Sequence, residues 1–201
     1  MRSTCYALAV AAFSFAPSAQ AGVIININQV GSDVVATGSG TLNVTGLTVV
    51  GGASGADSSQ IDGPISGVLL GPTAGGSDWA WNGAVGPAAF ASGSVFFANS
   101  GSGPVLGIQG LGGDLYTPPG YISGTFLSST DTWSNTTLAA LGLIPGTYVY
   151  TWNSGVTTAG VSTSSLDDSV TVNIGTPEPA SICLLGAGLL ALGLRRLRRA
   201  A

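Results

Sequence analysis

The sequence predicts an all-β protein built on a single β-sandwich, of the jelly-roll or Ig-like kind. Between residues 22 and 175, Gly, Ser, Thr, Asn or Pro recurs every few positions, so no apolar helical period continues for ten residues or more. The β-branched and aromatic residues fall instead into short runs bounded by these breaks, several of them alternating with polar residues. A stretch of this length supports one packed core and hardly two.

The elements follow in order. Val23 to Val30, VIININQV, alternates around Ile25 and Ile27 and predicts a first strand. Asp33 to Thr37 and Thr41 to Thr45 predict a hairpin turning across Gly38-Ser39-Gly40. Leu47 to Val50 continues before a loop at Gly51 to Asp57, and Ile65 to Leu70 ends at Gly71-Pro72. Thr73 to Ala91 is the least regular stretch, with Trp79 and Trp81 two apart and on one face if extended. Strands are also predicted at Ser94 to Ala98, Val105 to Ile108, Tyr121 to Leu127 and Asp131 to Trp133. Thr136 to Leu141 is the place for a helical turn, with Asn135 or Thr136 as its cap and Gly142 as its stop. Thr147 to Trp152 places Tyr148, Tyr150 and Trp152 on one face, and Asp168 to Ile174 closes the domain with Val170, Val172 and Ile174 inward.

Both ends of the chain are targeting segments, excluded from the fold. Residues 1–21 have Arg2, an apolar stretch from Tyr6 to Phe15 and a closing Ala19-Gln20-Ala21. Small residues at Ala19 and Ala21 suit signal peptidase, which predicts a cleaved signal peptide with its cut before Gly22. Residues 176–201 contain a rigid Pro177-Glu178-Pro179, an uncharged run at 180–194, and a cluster of Arg195, Arg196, Arg198 and Arg199. That run covers only about 22 Å at 1.5 Å per residue, but the arginines can snorkel to headgroups, so a transmembrane helix is predicted.

Pro-Glu-Pro, a Gly/Leu/Ala-rich hydrophobic segment and a terminal Arg cluster, in that order, resemble the PEP-CTERM sorting signal of exopolysaccharide-producing Gram-negative bacteria. The resemblance implies recognition by an exosortase, a membrane-embedded cysteine transpeptidase expected to cut near Pro177-Glu178-Pro179. It implies an inner-membrane-anchored intermediate, then release or attachment at the cell surface or in the extracellular matrix. The tail is also catalogued under an ice-binding label, which, for a signal shared by unrelated cargo, says nothing about ice. The phrases GSDVVATGSGTLNVTGL, GYISGTFLSSTDTWSNTTLAALGLIPGTYVYTW and DSVTVNI look like those recurring in PEP-CTERM cargo domains, and imply a shared fold without an activity.

Without its ends the chain changes character. All five basic residues lie in the end segments, so residues 22–175 contain no Lys, Arg or His, and both cysteines, Cys5 and Cys183, lie outside too. The domain keeps Asp33, Asp57, Asp62, Asp78, Asp114, Asp131, Asp167 and Asp168, a net charge of −8. Such a surface repels nucleic acid and anionic membranes. Without His, Lys or Cys there is no ordinary base for a Ser nucleophile and no thiol nucleophile, so no catalytic residue is assigned. A carboxylate-dependent hydrolase survives as a distant alternative, since distant aspartates can meet in space.

Asp57 to Gly63, DSSQIDG, and Asp167-Asp168 offer oxygen ligands suited to Ca²⁺ but lack EF-hand spacing, which favours solvated turns and no metal site. Trp79 and Trp81, with Tyr148, Tyr150 and Trp152, could form a platform for sugar rings, although buried aromatic rows are more usual in a sandwich core. Asn43-Val44-Thr45 and Asn135-Thr136-Thr137 fit the N-glycosylation pattern, which in a bacterium is read as chance. The expected function is a non-enzymatic secreted or cell-envelope component of the exopolysaccharide or biofilm matrix, without cofactor. The alternative is a carbohydrate- or Ca²⁺-binding adhesion module.

Overall fold

The computed structural model describes residues 22–52, 58–73, 77–153 and 168–175. Among them the chain forms β1 (Gly22–Val30), β2 (Asp33–Thr41), β3 (Thr48–Gly52), β4 (Gln60–Asp62), β5 (Gly67–Leu70), β6 (Trp79–Asn82) and β7 (Val95–Phe97). It continues through β8 (Ser100–Ser102), β9 (Leu106–Gln109), β10 (Asp114–Thr117), β11 (Phe126–Trp133), β12 (Gly146–Trp152) and β13 (Asp168–Ile174). Sheet A has the order β12-β13-β1-β2-β11-β8, and sheet B the order β3-β6-β10-β9-β5-β4-β7. The two-sheet β architecture agrees with the composition. The signal peptide, the transmembrane run and the Gly51 to Asp57 loop beyond residue 52 lie outside the described residues.

One apolar cluster joins the sheets. Sheet A contributes Ile25, Ile27, Val172 and Ile174, and sheet B contributes Val68, Ile108 and Leu115. Burying each such side chain stabilises by roughly 1.5–3 kcal/mol. In β13 the alternation is complete: Asp168, Val170, Val172 and Ile174 are buried while the residues between them are half-exposed. β13 runs parallel to β1 and antiparallel to β12, which makes the last strand an interior one.

The first predicted hairpin turns elsewhere. β2 runs unbroken through Gly38-Ser39-Gly40, and the reversal occurs at Gly31-Ser32, with Val30 opposite Asp33. Gly31, at φ 61, supplies the first central position of a type II′ turn. Gly38 and Gly40 serve close approach instead. A Cβ at Gly38 would lie 2.8 Å from Leu70 Cδ1 across the core, and one at Gly40 would lie 2.1 Å from the Gly22 carbonyl oxygen. Leu42 to Val44, placed in a strand by the sequence, follow β2 as irregular chain.

Three further differences concern the second half and short pairings. The stretches at Tyr121 to Leu127 and Asp131 to Trp133 are one strand, β11, entered through a turn held by Tyr121, whose hydroxyl donates to the Thr125 carbonyl at 2.7 Å. β4, β8 and β10, three or four residues each, are strands that the sequence pattern does not reveal. The helical turn is present and stops at Gly142, at φ 67, with Leu143 N–H bonded to Leu138 C=O and Gly142 N–H to Ala139 C=O. Its side-chain cap is Thr137, whose Oγ1 accepts from Ala140 N–H at 3.0 Å, rather than Asn135 or Thr136.

Candidate binding groove on the outer face of sheet B

Pairing register decides what the outward face of sheet B carries. One row runs Thr48, Asn82, Asp114, Gln109, Gly67 and Asp62 across adjacent strands. The next row runs Ala80, Tyr116, Gly107, Leu69, Gln60 and Phe97. Gly67 puts no side chain above the sheet where the first row crosses β5, and a groove of about 150 Å³ opens there. Gly107, in the next row, lies under Leu69 rather than in the groove floor. A Cβ at Gly107 would fall 2.6 Å from both Leu69 Cδ1 and the Val68 carbonyl oxygen.

The walls are amide, carboxylate and phenol. Gln60 and Asp62 stand on the β4 side and Gln109 and Tyr116 on the other. The Tyr116 hydroxyl donates to Gln109 Oε1 at 3.3 Å, and Gln109 Nε2 donates to the Leu111 carbonyl at 2.9 Å, so the amide and ring fix one another. Asn82 Nδ2 donates to Asp114 Oδ1 at 2.9 Å, which extends the polar rim. This arrangement can offer donors, acceptors and one half-exposed aromatic ring to a hydroxyl-rich ligand.

The carboxylates bounding this face are poorly placed for joint chemistry. Asp62 and Asp114 are three strands apart in the row. At about 4.8 Å per strand their backbones stand roughly 14 Å apart, against about 5–9.5 Å between the carboxyl groups of glycosidase pairs. Asp131 is elsewhere, buried on the inner face of β11. There it accepts Gly71 N–H at 3.2 Å, and burial pushes its carboxyl up to about 7 against the lowering effect of the Gly71 and Ser59 bonds.

The aromatic residues singled out by sequence lie mainly inside. Trp81 is 8% exposed and donates Nε1–H to Thr117 Oγ1 at 2.8 Å, while Trp79 is half-buried against it with ring centroids 5.9 Å apart. Both face the core with Leu115 and Thr117, so the pair does not present a sugar platform. The physical reason is the position of β6 between β3 and β10, which turns the Trp face inward. Tyr150 and Trp152 are also buried, and Tyr148 is half-buried against Phe90. The aromatic that walls the groove on the outer face is Tyr116, in a strand that the sequence reading missed, while exposed Phe97 ends the same row at the sheet edge. The glycine in β5, Gly67, was the available signal for a groove.

Of the oxygen-ligand stretches, Asp57 and Asp167 lie outside the described residues. Asp62 borders the groove, and buried Asp168 accepts backbone N–H bonds from Asn43 and Ser169. Among the described residues no three His, Cys, Asp or Glu side chains cluster as a metal site would require. The signal-peptide positions Ala19 and Ala21 are outside the described residues, and Gly22 is the first residue of β1. The sorting residues Pro177, Glu178 and Pro179 and the four arginines also lie beyond the description. Its last residue, Gly175, donates its N–H to Ile27 C=O at 2.8 Å.

Residues 176–199, beginning one residue after that bond, match the PEP-CTERM protein-sorting motif. The chain carries that sorting motif. No curated protein and no solved structure matches it. The motif implies export, sorting at the membrane to the cell surface and an exosortase as processing partner. Only Gly175 and Thr176 separate buried Ile174 from Pro177, so the PEP-CTERM segment leaves directly from an interior strand of sheet A.

Proposed function

We propose that the processed domain is a non-enzymatic component of the exopolysaccharide or biofilm matrix, and that it contacts neutral polysaccharide through the outer groove of sheet B. A signal peptidase cut before Gly22 and an inner-membrane intermediate held by residues 180–194 precede exosortase processing in this reading. The observation that carries the polysaccharide contact is the glycine-floored groove walled by Gln60, Asp62, Gln109 and Tyr116. Ring stacking and paired amides suit hydroxyl-rich polymers, while a net charge of −8 across residues 22–175 disfavours acidic ones. The wide separation of Asp62 and Asp114 and the missing His, Lys and Cys support binding without turnover.

Retention of the processed protein on the host's own neutral polysaccharide tests the reading. Tyr116→Ala and Gly67→Ala, one removing the ring and one filling the floor, are expected to lower retention at least tenfold while both chains stay folded by circular dichroism. Retention unchanged in both folded variants, or absent in the native protein, would sink it.

A further inference from the structure

We propose that the α-ammonium group created by cutting the chain before Gly22 pairs with the buried carboxylate of Asp168, so that removal of the leader completes the charge balance of the β1–β13 junction. Asp168 opens β13 and is 1% exposed. Its Oδ1 accepts Ser169 N–H at 2.8 Å and its Oδ2 accepts Asn43 N–H. A carboxylate taken out of water needs an opposite charge as well as hydrogen bonds if it is to stay ionised without cost. Residues 22–175 contain no Lys, Arg or His, so no side chain of the domain can supply that charge.

The chain terminus can. Parallel pairing of Val23 with Val170 sets Gly22 beside the start of β13. A Cβ built on Gly22 would lie 3.7 Å from Asp168 Oδ1 and 3.1 Å from Ser169 Oγ. The amino nitrogen of Gly22 is bonded to the same Cα. In the uncut precursor this nitrogen is an uncharged amide, and in the processed chain it is a cation. The ionisable groups at this corner are Asp168 and Tyr121, whose hydroxyl is raised mainly by burial and slightly by Asp168. Asp167, next in sequence, lies outside the described residues.

The pairing holds the proton on the amine. Its pKa rises above the ordinary value of about 7.7–8.0, so the stability it adds is present below that value and disappears as pH climbs through the raised one. Maturation thereby tightens the strand from which the sorting tail departs, and does so only after the leader is gone.

Because residues 22–175 lack lysine, the α-amine is the sole primary amine of the processed domain, and reductive methylation with ¹³C-formaldehyde labels it alone. The protein purified from its host would be labelled, its N-terminus verified by mass, and the methyl signal titrated by NMR. Proton affinity about tenfold above an ordinary α-amine, falling to ordinary in Asp168→Asn, is the expected result. A chain with one alanine inserted between Ala21 and Gly22 displaces the cation and is expected to titrate normally even if Asp168→Asn does not fold. An N-terminus other than Gly22, an ordinary titration in the native protein, or the same raised value in the folded variants would overturn the proposal.

Discussion

The outward faces of the two sheets draw on small polar residues and differ in what lines their depressions. Across sheet A one row runs Thr147, Asn173, Asn26, Thr37, Thr130 and Ser102, without a charge, and a depression of about 210 Å³ at its β2–β11–β8 end is lined by hydroxyls alone, Thr37, Ser39, Ser102, Ser128 and Thr130 among them. Neighbours in the row bond to each other, Asn173 Nδ2 to Asn26 Oδ1 and Thr147 Oγ1 to Asn173 Oδ1, both at 3.0 Å. Across sheet B the first row reaches Gly67, where a groove walled by amide, carboxylate and phenol opens. The lesson is that glycine has two uses in these strands. At Gly38, Gly40 and Gly107 it lets backbones and side chains approach, and at Gly67 it clears the outer surface.

The largest effect should come from breaking the first use. At Gly40, φ is 143 and an added Cβ would sit 2.1 Å from a main-chain oxygen of β1, which cannot yield without parting the β1–β2 ladder. Gly40→Ala is expected to cost about 3 kcal/mol or more, a fall in melting temperature of roughly 6–12 °C. Thermal melting of the processed protein measures it. A loss below about 1 kcal/mol would mean that the ladder tolerates a side chain there and that close approach is not what requires this glycine.

Next in size is a pH effect confined to the inner face of sheet A. Asp131 keeps its proton in the fold up to about 7, whereas the unfolded chain releases it near the ordinary carboxylate value of 3.8. The folded state binds the extra proton between those values, so its stability is greatest at acid pH, declines as pH rises toward 7 and levels above it. The decline should be about 2 kcal/mol after solvent screening. Denaturant unfolding of the native protein and Asp131→Asn at several pH values should show their difference changing by that amount from pH 4 to pH 8. A pH-independent difference would mean that the carboxyl is ionised throughout.

The same contrast explains what could be read from the sequence. β1, β12 and β13 have seven to nine residues, enough for a period of two to stand out, and all three were legible with their inward residues. β4 and β10 have three and four residues, and their outward positions acquire meaning only when the register aligns Gln60, Tyr116 and Gln109 across non-consecutive strands. The groove therefore stayed hidden, because a site assembled by long-range pairing leaves no local motif. Trp79 and Trp81 show the converse case: their shared face was legible and a core role favoured, but which side of β6 meets the core depends on its neighbours. The sorting tail needs no tertiary context, since its Pro-Glu-Pro, apolar run and arginines follow one another in linear order, and residues 176–199 match the sorting motif that the sequence suggested.

A smaller expected effect separates core from surface aromatics. Trp81→Phe keeps most of the buried ring area and removes the bond to Thr117 Oγ1, which is fully buried. The cost should be about 1–2 kcal/mol, with polysaccharide retention unchanged. Reduced retention at unchanged stability would bring Trp81 back as a contact residue.

The smallest change in stability is expected at Tyr116→Phe, where it bears most directly on the groove. The hydroxyl is half-exposed and its bond to Gln109 Oε1, at 3.3 Å, is long, so its loss should cost less than about 0.5 kcal/mol. The ring stays and the amide loses one of its two fixed bonds, leaving Gln109 held only through Nε2 to Leu111. If the ring stacks and the amide orients the sugar, retention should fall by a few-fold in Tyr116→Phe and much further in Tyr116→Ala. Equal losses in the two variants would assign the whole contact to the hydroxyl. No loss in Tyr116→Phe would leave the ring as the contributing group and make the amide wall incidental.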